Sequence, residues 1–384
     1  MKVLLFGEKY SDNLGDGVIS ECLAYSIKFS LVGADVTTLD LSLRDRYSIG
    51  ESNENNSIIP NRPTGFISKA RRVVGWLTFR KKQASLSWSS DIRGADIVAI
   101  GGGQLFLNRD LNFPVKIYML SRLLKDFKGR IVILACGASK INGFVAKFFL
   151  RSLLAHKGVS FVSVRDSESI ENMCNLNEKN DTALLHDPAF ISADCYRPDV
   201  KKSNVVGLNI MDFHTLNSLL GNGGEAEYIA FWLALIERLR SKNYEVKLFT
   251  NGASEDNSFM FRLSEKLSDD IECIVPKNPK MLVETVSLFS LVFAHRLHAN
   301  IISYANEVPS VGFIWGEKVA AFSRLTEREG YFVHDEDIFE KVDYIVGLGD
   351  KAISEGVDKI KLKEIKAEFY EKLGGALDGS EKRN

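Results

Sequence analysis

Cysteine is scarce in this 384-residue chain: five residues, at positions 22, 136, 174, 195 and 273. The count is odd, the gaps are wide and no C-x-x-C pair occurs, which argues against a disulfide framework or a thiolate zinc site and for reduced thiols. A charge surplus is also missing. Lys plus Arg number 49, Asp plus Glu 50, and the net charge is -1. A general nucleic-acid binder needs a cationic excess to displace counterions from phosphates, so that class is set aside, a local basic patch excepted. No apolar run approaches the ~20 residues of a membrane span. Four apolar residues after Met1-Lys2 give way to Gly7-Glu8-Lys9, too short a run for a signal peptide's apolar region. A cytoplasmic protein is expected. There is no H-E-x-x-H, and Asp335-Glu336-Asp337 reads as an acidic helix start, so no metal is expected. Neither a G-x-S-x-G elbow, a Walker A loop nor G-x-G-x-x-G is present.

What the chain does have is apolar material: 45% hydrophobic and 10% aromatic residues, enough for two domains of ordinary size. Short apolar runs alternate with amphipathic stretches. Val3–Phe6, Ile97–Ile100, Ile131–Cys136 and Val159–Val164 read as buried strands; Val18–Phe29, Lys116–Lys125 and Asp166–Cys174 have helical spacing. Strands that are apolar throughout, separated by helices, predict a parallel sheet covered on both faces. Cys195–Ser203, polar and containing Pro198, is the expected linker. A second series follows, with strands at Val205–Ile210, Glu245–Phe249, Ile271–Val275, Leu291–Ala294 and Ser310–Ile314 and a helix at Ala226–Lys242. The expected class is α/β: two Rossmann-like domains, 1–195 and 196–345, facing a cleft, with a helical tail over 346–384 that packs back across them. Ser48–Thr64 reads as a loop. Lys69–Lys82 mixes six basic residues with Val73, Val74, Trp76, Leu77 and Phe79. Such a helix can lie on anionic lipid, a peripheral contact at the inner face of a membrane, or turn its apolar face to the protein; the second reading is preferred.

In open α/β sheets ligands sit beyond the carboxyl ends of strands. After the first strand comes Asn13-Leu14-Gly15-Asp16-Gly17, where Asp16 either caps the following helix or accepts a hydrogen bond from a substrate hydroxyl. After the strand at 97–100 comes Gly101-Gly102-Gly103-Gln104, either a backbone cradle for an anion or sugar, or a tight turn under crowding. Arg165 ends another strand and its fork suits a carboxylate or phosphate, unless a neighbouring acid holds it. The densest group is His295-Arg296-Leu297-His298, opening a helix at Ala299–Asn306. A helix start favours anions, Arg296 can grip one, and His298 can move a proton, with His295 as its substitute. Lys318 adds a cation after the next strand.

These residues resemble the polysaccharide pyruvyl transferases. The resemblance rests on N-L-G-D at 13–16, G-G-G at 101–103, S-V-R-D at 163–166, D-P-A-F at 187–190, R-L-H-A at 296–299 and P-S-V-G with a later lysine at 309–318. It implies a glycosyltransferase-B-like fold. It also implies transfer of the pyruvyl group of phosphoenolpyruvate to two hydroxyls of one sugar, giving a cyclic ketal and phosphate without a further cofactor. The acceptor would be a surface polysaccharide or its precursor, including a lipid-linked oligosaccharide. By position, Arg165, Arg296, His298, Leu297 through its backbone, and Lys318 would hold the donor on the 196–345 side. Asn13, Asp16, Gly102, Gly103 and Gln104 would lie nearer the acceptor on the 1–195 side. His298 would be the acid and Asp16 the base. Gly137–Lys140 and Trp315–Glu317 depart from the family's usual loops. Two rival expectations are a nucleotide-sugar glycosyltransferase of the same fold and a non-catalytic sugar-binding subunit.

Overall fold

The computed structural model describes residues 1–48, 73–108, 111–177, 181–199, 203–220, 224–334, 338 and 341–380. Two six-stranded sheets organise them. The first contains β1 (Lys2–Gly7), β2 (Asp35–Asp40), β3 (Ile97–Gly101), β4 (Arg130–Cys136), β5 (Val159–Val164) and β6 (Ala183–Leu184), in the order β2-β1-β3-β4-β5-β6. The second contains β7 (Val205–Asn209), β8 (Glu245–Phe249), β9 (Glu272–Ile274), β10 (Leu291–Ala294), β11 (Ser310–Ile314) and β12 (Phe332–His334), in the order β12-β11-β10-β7-β8-β9. Neighbouring strands are parallel throughout both sheets.

The central strands are where the apolar runs predicted them, because strands covered on both faces need unbroken apolar sequence. β2 escaped notice because D-V-T-T-L-D carries polar residues in an edge strand that is only half buried. β6 and β12 are too short to leave a pattern. Two helices start earlier than expected. The first runs Leu14–Ser30, not from Val18, and the helix after β10 runs Leu297–Ala305, not from Ala299. Both corrections pull a motif residue into a first helical turn. The linker also starts later than expected, since Cys195 and Tyr196 end a short helix, Ser192–Tyr196.

Three apolar cores hold the two sheets. One lies on a face of the first sheet, under the helices Lys81–Arg93, Asn112–Leu123 and Phe144–Leu154. A second lies on a face of the second sheet, under Glu225–Ser241 and Val342–Glu355. The third is shared: Val3, Leu5, Val18 and Leu23 belong to the same cluster as Val283, Val292, Ile301 and Ile302. The C-terminal segment is two helices, Val342–Glu355 and Lys359–Asp378, separated at Gly356, whose φ of +73° suits glycine. The first packs on Glu225–Ser241 and the second crosses to Leu14–Ser30. His186 faces Glu368 at 3.0 Å and Lys366 pairs with Asp194 at 2.7 Å, so the crossing is ionic as well as apolar.

The basic stretch at 69–82 is described only from residue 73. A π-helical turn, Trp76–Arg80, leads into Lys81–Arg93. Trp76 is buried, with Lys116 5.8 Å above its ring, while Val74 and Phe79 are exposed. The expected single apolar face is therefore split between protein and solvent. Residues 49–64 of the expected loop and Asp335–Asp337 lie outside the described residues. Among the described residues no helix is long and apolar enough to cross a membrane.

Candidate active site

Each sheet reverses its winding beside one central pair, β1/β3 in the first and β7/β10 in the second. Loops beyond the carboxyl ends of such pairs part to opposite faces and leave a crevice. Those four ends carry the N-L-G-D, G-G-G-Q, Asn209 and H-R-L-H segments.

On the first-sheet side, Asn13 caps the Leu14–Ser30 helix, its side-chain oxygen accepting from Gly15 N at 3.3 Å. Capping is thus done by Asn13, which leaves the Asp16 carboxylate for other work; Ser11 Oγ donates to it at 3.0 Å. Gly15 has a steric reason to be glycine. A Cβ there would lie 2.6 Å from Cγ and 2.7 Å from Cβ of His298, on the other domain. Gly102 and Gly103 both have positive φ, and a Cβ on Gly103 would stand 3.3 Å from Asp16 Oδ1. Crowding accounts for these glycines, yet it also brings the G-G-G turn against the one carboxylate of N-L-G-D. Gln104 bridges outward: its Nε2 donates to Ser139 Oγ, and its Oε1 accepts from Lys318 Nζ.

On the second-sheet side, the four residues after β10 divide. His295 is fully buried, its ring 4.5 Å from Phe313 and 5.4 Å from Trp232. Its ring packs among aromatics, whereas the His298 ring meets the first domain. Arg296 is the residue before the helix. Its backbone N donates to Asn209 Oδ1 at 3.2 Å, and its guanidinium grips Asp256 through Nε (2.8 Å) and Nη2 (2.6 Å). Nη1 is the edge that remains. Leu297 is half-buried against the shared core. His298, in the first turn, turns toward the first domain.

The two sides meet at Arg165, just past β5. Its Nη1 donates to Asp187 Oδ2 at 2.8 Å and lies 3.3 Å from His298 Nε2. Asp187 Oδ2 is 3.7 Å from the same ring nitrogen. A guanidinium has no acceptor, so Arg165 bonds the ring only while Nε2 is bare; a protonated Nε2 faces Asp187 instead. Burial would raise the Asp187 carboxyl, but the His298 hydrogen bond and the Arg165 charge hold it at about 2. It is therefore a fixed anion beside the Arg165 guanidinium and the His298 ring. Lys318 completes the group. Burial, aided by the Arg165 charge, pushes its ammonium down to about 8.

Beneath this junction Leu14 N donates to Asn251 O at 2.8 Å, tying the first helix to the end of β8. Asn251 Oδ1 accepts from Asn209 Nδ2 at 3.1 Å, while the buried Asn251 Nδ2 has no partner among the described residues. Asp187, Asn209, Asn251 and Asp256 were not foreseen as site residues. Asp187 had a signal, a D-P step at a strand end. Asp256 had none, for S-E-D reads as an ordinary acidic helix start.

The arrangement brings together Asp16, Gly103, Gln104, Arg165, Lys318 and His298, and leaves Arg296 one layer back. It offers two or three cations, a helix N-terminus, a proton carrier and a separate carboxylate: the means to hold a doubly anionic small molecule beside a hydroxyl-bearing one.

Solved structures with the same fold include UDP-N-acetylglucosamine 2-epimerases. That of Rickettsia bellii has 10% identity, TM-score 0.54, and coverage of 99% of this chain and 96% of that one. A putative one from Listeria monocytogenes has 11% identity, TM-score 0.52, and coverage of 100% and 98%. The Methanocaldococcus jannaschii enzyme has 10% identity, TM-score 0.51, and coverage of 91% and 92%. At such identities the likeness shows fold alone, two facing Rossmann-like domains in a glycosyltransferase-B-like arrangement. No curated protein matches the sequence significantly. The profile of one family, polysaccharide pyruvyl transferase, matches residues 13–317, which run from the cap of the first helix to the start of the helix bearing Lys318 and include every motif residue of the cleft except Lys318 itself. With the motif residues gathered at one junction and the match spanning most of the chain, the protein belongs to the polysaccharide pyruvyl transferase family.

Proposed function

We propose that the chain moves the pyruvyl group of phosphoenolpyruvate onto two hydroxyls of one sugar in a surface polysaccharide or its precursor, forming a ketal and releasing phosphate. The observation that carries this reading is the junction of Arg165, His298 and Lys318, a cationic pocket wall made by both domains. Phosphoenolpyruvate has a carboxylate and a phosphate. Arg165, Lys318, the Nη1 edge of Arg296 and the backbone N–H groups at Leu297 and His298 supply donors for both.

In this reading His298 delivers a proton from Nε2 to the methylene carbon, and positive charge develops at the adjacent carbon. A sugar oxygen bonds there as its proton passes to Asp16. The carbon–oxygen bond to phosphate then breaks, phosphate taking the electron pair, and the second hydroxyl closes the ring with loss of its proton. Asp187 stands 3.7 Å from that same Nε2 and is itself held by Arg165, so the proton that leaves for the donor departs from beside a fixed anion. Asn13, Gly102, Gly103 and Gln104 line the acceptor side. No cofactor is required, and the donor carries the leaving group.

Thermal shift tests the donor first. Saturation at a hundredfold over Kd adds about 2.7 kcal/mol to the native state. Phosphoenolpyruvate is expected to raise Tm, with uridine, guanosine and cytidine diphosphates inert. A shift with a nucleotide alone would overturn the reading in favour of a nucleotide-sugar glycosyltransferase. Phosphate release with a sugar acceptor, and a new methyl signal from the ketal in NMR, would then identify the product.

A further inference from the structure

The near-neutral chain separates its charges. Residues 55–90 and 127–165 contain no aspartate or glutamate, and each holds seven lysines or arginines. Residues 81–90 and 144–154 of these segments lie in one helical layer of the first domain, in which Asn112–Leu123 lies between Lys81–Arg93 and Phe144–Leu154. The two flanking helices expose large apolar side chains. Phe144 is 83% exposed and Phe148 52%, their rings stacked at 6.4 Å one helical turn apart, while Ala146, Phe149 and Leu150 face the core. On the other flank Phe79 and Leu86 are 75% and 76% exposed beside Lys81 and Lys82. Exposed aromatics on helices whose charges, Asp91 apart, are positive are costly in water unless something covers them. A protein partner would need only the apolar part; the absence of any acid in these segments specifies a partner that is both apolar and negatively charged.

We propose that this helical layer docks the first domain on an anionic lipid bilayer, with Phe144 and Phe148 entering the headgroup boundary and Lys81, Lys82, Lys140 and Lys147 facing lipid phosphates. The placement has a functional sense. Phe144 opens its helix directly after the 137–143 turn, whose Ser139 holds Gln104 at the cleft. Docking sets the acceptor lip of the cleft against the membrane, where a lipid-linked sugar is presented. The inference concerns the surface and does not depend on the donor.

The test is co-sedimentation of the full chain with phosphatidylcholine vesicles and with mixed phosphatidylcholine–phosphatidylglycerol vesicles at low and high salt. Binding is expected to the mixed vesicles only, weakening with salt. K81Q/K82Q should weaken it about 25-fold, at roughly fivefold per charge. F144S/F148S should weaken it tenfold or more. In F148W, brominated acyl chains should quench the new indole, a readout that does not require the double variant to fold. Unchanged binding in both double variants, or no binding to anionic vesicles at low salt, overturns the proposal. So does self-association that F144S/F148S abolishes without any vesicle binding, which would make the patch a contact between copies.

Discussion

Gly15 and Lys318 show how much chemistry single positions carry. A methyl group on Gly15 has nowhere to go but into the imidazole of His298. Gly15→Ala should cost about 1–3 kcal/mol of stability, as overpacking does, and should also turn His298 out of line. The expected result is a fall in kcat larger than the change in donor affinity, seen in steady-state kinetics of a variant whose circular dichroism is unchanged. Lys318 makes a pH prediction. Its folded pKa is lowered to about 8 by burial and by Arg165, so its charge is present below that value and lost above it. If the charge holds the donor, KM for phosphoenolpyruvate should rise as pH passes about 8. Lys318→Arg, which stays charged, should remove the rise while leaving the rest of the profile in place.

At the scale of elements, the start of the Leu297–Ala305 helix is anchored by a charge pair one layer behind the cleft. Asp256 is wholly buried and holds Arg296 by two bonds. Asp256→Ala strands a guanidinium that is only 16% exposed and should cost about 3 kcal/mol, measurable by urea denaturation. It should also raise the donor KM, because the helix start loses its anchor. Here sequence reading shows both its reach and its limit. R-L-H after an apolar strand was legible because a strand end followed by a helix start is a local pattern with one physical outcome. That Arg296 would be spent on Asp256 was not legible, since the partner lies 40 residues away in an unremarkable helix start. The same holds for Asp187: D-P marks a turn, but only the folded chain brings its carboxylate beneath Arg165. Central strands could be found from their apolar runs, whereas β2, β6 and β12, short or half-exposed at the sheet edges, carry too little pattern to be read.

For the whole molecule, the two domains are joined by more than the chain between them. The shared apolar core, Leu14 N to Asn251 O, Gln104 to Lys318 and Arg165 to His298 all cross between them. The last helix takes part: Leu362, Ile365, Phe369, Leu373 and Leu377 are buried in that core. At about 1.5–3 kcal/mol for each buried side chain, they contribute on the order of 10 kcal/mol, comparable to the whole stability of an ordinary protein. Truncation after Gly356 is therefore expected to give insoluble protein in a fractionation assay, not a soluble chain lacking a tail.

The crossing of that helix also governs how the cleft can move. The chain passes between the domains twice, once between β6 and β7 and once at Gly356, and each passage is a tether. A chain that crosses twice resists sliding and twist more than one that crosses once, and parting the domains would expose the apolar core they share. Arg165 and His298, on opposite sides of the crossing, are thus kept in one register by the path of the chain as well as by their own contact.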